Sequence, residues 1–281
     1  MTAIWAAEVR LRPTGPLTFR QMPSGPLHIM TYPFLPPTTL SGFLERVRIV
    51  AAGGDWPGYG ADWYAKKNEG FTLTLGPEYR ALGAFPPAGQ WSVHTTRRHG
   101  PKDFKHREFS RVLRDHNAFK ARNRNQDAAF QLHHWDYLFC ESLLGWVAAR
   151  SPEPLRELAK LAGFGGMAGK EGYLVVENVS EPRECPLAED RFQPLGLAVP
   201  PVRPDSGRFF NLYGHHWNPD YEWTNGERGG VDGFTRLSGW FEAGPVEGSF
   251  WRWSEGTGFQ ADMPDRFLTD APELFYPREE S

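Results

Sequence analysis

Cysteine is nearly absent from this sequence of 281 residues, which has only Cys140 and Cys185. Two thiols far apart in the chain provide neither a disulfide framework nor the paired spacing of a zinc site, so the reducing cytoplasm is the expected location. Long apolar runs are missing too. The first, Ala3 to Ala7, is broken by Glu8, and the longest, Leu143 to Ala149, falls far below the roughly 20 residues of a membrane span. Neither a signal-peptide core nor a membrane partner is expected. No G-x-S-x-G elbow occurs, no Ser/His/Asp arrangement is legible, and there are no repeats or low-complexity stretches. Net charge is also small, −3, which on its face argues against a nucleic-acid partner. What is plentiful is apolar and aromatic material, 40% and 14% of residues, enough for a core in one large or two ordinary domains.

The small net charge conceals a division. Between Arg97 and Arg124 stand ten basic residues, Arg97, Arg98, Lys102, Lys105, Arg107, Arg111, Arg114, Lys120, Arg122 and Arg124, against the acids Asp103, Glu108 and Asp115. That segment carries +7, and the remaining 21 basic and 31 acidic residues carry −10. His94, His99, His106 and His116 add donors, and Phe104, Phe109 and Phe119 interleave stacking groups with the cations. Lys and Arg that displace condensed counterions, with aromatic faces for unstacked bases, are the footprint of a nucleic-acid contact. A solvated face or an arm for an acidic protein partner has the same charge count.

Along the chain, Trp5, Ala7, Val9 and Leu11 alternate with more polar positions and predict a strand from Ile4 to Arg12. A Gly/Pro-rich stretch, Pro13 to Pro37, is too long for an idle connection. Pro36-Pro37-Thr38-Thr39 predicts a helix start with a Thr hydroxyl as cap, and Leu40, Phe43, Leu44, Val47 and Ala51 follow at helical spacing up to Gly53-Gly54. Phe71 to Leu75 and Tyr79 to Phe85 read as short strands. The basic arm reads as mixed helix and loop, and Trp135 to Val147 as a β-prone run. Ser151-Pro152 opens a helix carrying Leu155, Leu158, Leu161 and Ala162; a Gly-rich loop ends it, and Tyr173 to Val179 is a further strand. This order resembles a split βαβ, ferredoxin-like unit with an inserted arm, an α+β class. Glu181 to Pro186 is the expected seam, beyond which Phe209 to Tyr213, Phe234 to Glu242 and Ser249 to Trp253 read as short strands.

Gly163, Gly165, Gly166, Gly169 and Gly172 do not form a dinucleotide fingerprint, because a helix precedes them and a strand follows, the reverse of what a pyrophosphate at a helix N-terminus needs. Gly169-Lys170 is followed by Glu171, so a Walker-type loop fails as well, and no cofactor is expected. The glycines instead let another backbone approach closely, with Lys170 as a phosphate contact. His133-His134 with Asp136, and His215-His216, lack a further ligand at a recognisable spacing, so no metal is expected. General acid/base cleavage of RNA needs a His beside cations, which His99, His106 and His116 satisfy; the favoured reading is that the same histidines are further donors to phosphate. The eleven tryptophans, among them Trp217, Trp223, Trp240, Trp251 and Trp253, read mainly as core and interface residues.

Phe19-Arg20, followed by Thr31-Tyr32-Pro33-Phe34-Leu35-Pro36-Pro37-Thr38-Thr39-Leu40-Ser41-Gly42-Phe43-Leu44, resembles the first-helix signature of Cas protein family 5, in the RAMP superfamily of CRISPR proteins. The segment Leu155 to Gly172 is similar to that superfamily's Gly-rich loop, with looser spacing. The resemblance covers the N-terminal two thirds and implies a ferredoxin-like, RRM-related domain over 1–185, with a thumb at about 94–130 and the Gly-rich loop at 163–172. A β-rich region, 186–281, is unmatched. In the family the subunit sits at the foot of a Cascade-type surveillance complex and caps the 5′ handle of the crRNA, its thumb touching the handle and the adjoining backbone subunit. Partners so implied are the crRNA handle, a backbone subunit, a large subunit and, through the assembled complex, target DNA. The RNA-binding residues expected on this basis are Arg20, Tyr32, Thr38, Thr39, Gly165, Gly166, Lys170 and the ten cations of the arm. Most members are non-catalytic. A type I-C branch cleaves precursor crRNA, for which His106 and His116 would be the catalytic candidates here, and handle-capping subunits of type III complexes share the Pro-Pro-Ser/Thr helix start.

Overall fold

The computed structural model of the chain describes residues 3–21, 28–53, 79–101, 130–217 and 231–265. Within them the alternation at the N-terminus becomes strand β1, Ile4–Pro13, with Ala7, Val9 and Leu11 fully buried and Arg10 and Arg12 exposed. β1 is the centre of an antiparallel sheet. On one side it pairs with β6 (Leu143–Ala149), which pairs in turn with β3 (Arg80–Phe85). On the other it pairs with β8 (Tyr173–Val179) and, nearer its start, with β9 (Arg183–Cys185). A three-residue edge strand, β7 (Gly165–Met167), completes the order β3-β6-β1-β8-β7.

Helix α1 spans Pro37–Ala51 and buries Leu40, Phe43, Leu44 and Val47, the residues its spacing placed on one face. Burying four such side chains contributes about 6–12 kcal/mol before the cost of ordering them. Its start differs from expectation. Pro36 occupies the cap position and Pro37 the first turn, and no Thr hydroxyl caps the helix, because Thr38 and Thr39 lie inside the first turn and the residue at the cap, Pro36, has no side-chain acceptor. Helix α2, Glu153–Ala159, lies between β6 and β8 and buries Leu155 and Leu158. The fold is α+β, with far more strand than helix.

The sheet is covered on both faces, which is why β3 and β6 read as nearly unbroken apolar runs. Trp146 of β6 points away from α1, its ring 5.9 Å from Phe259, while Phe85 stacks 5.8 Å from Phe241. Leu197, Val199, Trp251 and Met263 join the same hydrophobic core, which therefore continues past residue 186. There β10 (Leu187–Pro194), β13 (Val246–Ser254) and β14 (Thr257–Gln260) close into a small three-stranded barrel around Phe192 stacked on Phe250 at 4.2 Å. β11 (Arg208–Trp217) and β12 (Val231–Phe241) form a long hairpin, so the strands expected here exist and run longer than their apolar residues suggested. A short turn of helix, α3, follows at Asp262–Asp265. Among the described residues no helix is long and apolar enough to cross a membrane. Phe71 to Leu75 lie outside the described residues.

Candidate nucleic-acid interface

The β-prone run Trp135 to Val147 is two strands rather than one. It breaks at Glu141-Ser142 into β6 of the main sheet and β5 (Phe130–Cys140), which belongs elsewhere. β5 pairs along its whole length with β4 (Trp91–Pro101), from Trp91 opposite Cys140 to Pro101 opposite Phe130. Eleven antiparallel pairs at about 3.4 Å each make a ribbon roughly 35 Å long. A two-residue strand, β2 (His28–Ile29), lies parallel to β5 on the ribbon's inner edge. The basic arm, Arg97 to Arg124, reads from sequence as mixed helix and loop; its first cations, Arg97 and Arg98, instead sit on this ribbon. Arg97 is exposed on β4 opposite His134, and Arg98 stands opposite His133. The other eight cations, Lys102, Lys105, Arg107, Arg111, Arg114, Lys120, Arg122 and Arg124, with His106 and His116, fall in 102–129, outside the described residues. The two ends of that segment, Pro101 and Phe130, are neighbours.

Beside the ribbon runs the chain from Leu17 to Arg20. It is bridged to Leu138 of β5, to Glu171 through Thr18, and to Thr31 through Arg20. Three backbone bonds hold its middle: Thr18 N–H to Glu171 O at 2.8 Å, Lys170 N–H to Thr18 O at 2.9 Å, and Tyr32 N–H to Phe19 O at 2.8 Å. The Gly-rich segment makes this approach possible. A side chain on Gly169, at φ +72°, would stand 2.7 Å from Thr18 O, and one on Gly172, at φ +116°, 2.9 Å from Pro16 O. The close backbone expected there is the protein's own, and Gly165 and Gly166 are in strand β7 rather than a loop. Gly165 packs on Leu174 O of β8, and Gly166 faces the Arg46 side chain of α1. Arg20 and Lys170 are exposed on this surface, and Thr38 and Thr39 are half-buried at the start of α1.

Tyr32 is placed differently. It is 4% exposed, packs against Phe34 and Phe210, and donates its hydroxyl to Asn211 O, so its ring serves the core and has no free face for a base. Asp136, paired with His134 in the sequence as a half-formed metal site, is engaged elsewhere. Its Oδ1 lies 2.9 Å from His28 Nε2 and accepts from Thr95 Oγ1 at 2.7 Å, while its carbonyl accepts from Thr18 Oγ1 at 2.9 Å. Trp135 Nε1 donates to Thr18 Oγ1 at 3.1 Å, and Tyr137 OH to Glu171 Oε2 at 2.7 Å. This network fastens the root of the ribbon to the Leu17–Arg20 strip and to the glycine turn. His28 was absent from the expected site residues, and no spacing in the sequence links it to Asp136. Among the described residues no three His, Cys, Asp or Glu side chains converge as a metal cluster.

Two solved CRISPR chains are similar in structure. One is from a type III-B Cmr-beta complex bound to cognate target RNA and AMPPnP, the other from Cmr-beta bound to cognate target RNA. Each is 12% identical, with 85% of this chain matched to 86% of that chain, at TM-scores of 0.37 and 0.40. No family model matches, and no curated protein matches in sequence.

What the surface can do follows from its charges. Arg97 and half-exposed His28 are on the ribbon's strands, Arg20 and Lys170 on the chain beside it, and the chain's densest run of cations begins at Arg97. Exposed cations of this kind are suited to phosphates along a backbone, which position a strand without reading its bases.

Proposed function

We propose that the protein is a non-catalytic RNA-binding subunit of a CRISPR effector complex that caps the 5′ handle of the crRNA, with the 94–130 segment as its thumb. The observation that carries this is the ribbon: eight of the ten arm cations lie between two residues, Pro101 and Phe130, that β4 and β5 hold side by side. An insertion fixed at its root, within a stretch that carries +7 from Arg97 to Arg124, is suited to reach along a phosphate backbone, while the −10 of the rest of the chain discourages the body from adhering to it. The Phe19-Arg20 and Pro36-Pro37-Thr38-Thr39 resemblance supports the family and the handle. The order β3-β6-β1-β8, antiparallel throughout with α1 and α2 as the two crossovers, supports a ferredoxin-like domain. A type I, Cascade-like complex in the cytoplasm is the assembly we favour, with a backbone and a large subunit as protein partners.

Replacing Arg111, Arg114, Lys120 and Arg122 together by Ala tests the reading. For a single strand each neutralised phosphate contributes about 0.7 to the slope of log affinity against log salt, so the variant's slope falls by about 3. Fluorescence anisotropy with labelled repeat RNA across a salt series measures it, and an unchanged slope refutes the thumb. The RNA is expected to remain intact. Metal-independent cutting that disappears in His106→Ala or His116→Ala would replace the non-catalytic reading.

A further inference from the structure

At the foot of β4 a separate cluster brings together three residues far apart in sequence. Trp91, the first residue of β4, donates its indole N–H to Glu242 Oε1 at 2.9 Å. Arg208, the first of β11, lays its guanidinium over the Trp91 ring, 4.6 Å from the centroid, with Nε 3.3 Å from Glu242 Oε2. Glu242 follows β12 with φ +50°, the single non-glycine residue in the left-handed region among those described. The turn at Ala88-Gly89 forms the facing wall. Among the described residues these five line an open cavity of about 440 Å³.

A partly exposed ion pair stabilises little by itself, and the Arg208 side chain is 64% exposed. It does not account for a strained backbone, which persists where surrounding structure imposes it and concentrates at binding sites. The chemistry on offer is specific. A guanidinium on an indole is a flat cationic platform for an electron-rich ring. A carboxylate has about four lone-pair positions and is acceptor-only, so Glu242 retains acceptor capacity beyond its two partners. Guanine alone among the RNA bases presents two adjacent N–H donors on its Watson–Crick edge. Adenine, cytosine and uracil each place a repelling acceptor beside the donor. Trp91 and Arg97 share one face of β4, six residues or about 20 Å apart, so a strand held by the basic segment can run down the ribbon to this cavity.

We propose that the Trp91–Arg208–Glu242 cavity binds one guanine base of single-stranded RNA. The source of the base rests on the RNA-binding function above; the base preference rests on the cavity alone. The test uses the full chain with guanosine and adenosine 5′-monophosphate by calorimetry, and with oligouridine carrying one guanosine or one adenosine by anisotropy. Guanosine is expected to bind at least about tenfold more tightly than adenosine in both formats, a preference that Glu242→Gln abolishes. Equal binding of the two mononucleotides by the unsubstituted protein overturns the site without requiring any variant to fold, as does a preference that survives in folded Glu242→Gln. Guanosine-selective mononucleotide binding with no binding of either oligonucleotide would sustain the site and refute the RNA-binding function. Oligonucleotide binding without base preference would do the reverse.

Discussion

Gly169→Ala is expected to destabilise the fold at least about twice as much as an alanine at Gly163, although both glycines have positive φ in the same Gly-rich segment. At Gly163, φ +86°, nothing lies within 4 Å of the added methyl, so the cost is that of the left-handed backbone alone, about 1–2 kcal/mol. At Gly169, φ +72°, the same term applies, and the methyl also meets Thr18 O and Phe19 Cδ1, each at 2.7 Å. Thr18 must withdraw. It takes with it the bonds from Lys170 N–H and to Glu171 O, each with a net contribution of about 0.5–1.5 kcal/mol. The total is roughly 2–5 kcal/mol, a large part of the 5–15 kcal/mol typical of a folded domain. Urea unfolding followed by tryptophan fluorescence gives both values on one scale, with an unchanged m-value as the check that only stability moved. Equal losses for the two variants would refute the claim that the glycine turn exists to admit the Leu17–Arg20 strip.

Two further predictions come from groups that are wholly or partly buried. Burial pushes the Cys140 thiol up to about 11 and Cys185 up to about 12, so both stay protonated at about pH 8, where an unfolded thiol near 8.5 is partly ionised. The folded chain thus holds protons that the unfolded chain releases, and stability falls as pH rises above the ordinary thiol range toward those values. Iodoacetamide labelling of the native protein should be slow at about pH 8; a rate equal to that of the urea-unfolded chain at either cysteine would refute it. Asp136→Ala leaves His28 and Thr95 without their acceptor and should cost about 1–3 kcal/mol in thermal unfolding, most of it recovered by Asp136→Asn, which keeps an acceptor oxygen. Indistinguishable melting of all three proteins would show that the network does not hold the ribbon root.

The elements legible in the sequence were those with one dry face. β1, α1 and β8 carry regular periodicity because water lies on one side and the core on the other. β4 escaped the same reading for a physical reason. From Ser92 to Arg97 it is exposed on both faces, so Val93, Thr95 and Arg97 show no contrast with Ser92, His94 and Thr96. β7 escaped because glycines have no side chains to alternate; its pairing comes from the closeness Gly165 allows to β8. Tyr32 illustrates the converse error. An aromatic in the Thr31-Tyr32-Pro33 motif suits an RNA-binding role in sequence, but its position is set by Phe34, Phe210 and Asn211, two of them almost 180 residues away. The charge division, by contrast, needed no tertiary knowledge, since ten cations against three acids between Arg97 and Arg124 are a local property. Trp91, Arg208 and Glu242 share no local pattern and meet only through the packing of two hairpins.

The ladder from Trp91–Cys140 to Pro101–Phe130 separates the reach of the molecule from its stability. Closure of the inserted segment is already enforced by eleven residue pairs, so enlarging the insertion adds only the slow logarithmic cost of a longer loop, about 0.6 kcal/mol per doubling. Length, charge and composition beyond residue 101 can therefore drift under selection for whatever the arm touches, while the body neither gains nor loses. A lineage built on this scaffold could retarget itself by changing one hairpin tip, and the same junction is the natural place to graft a foreign one.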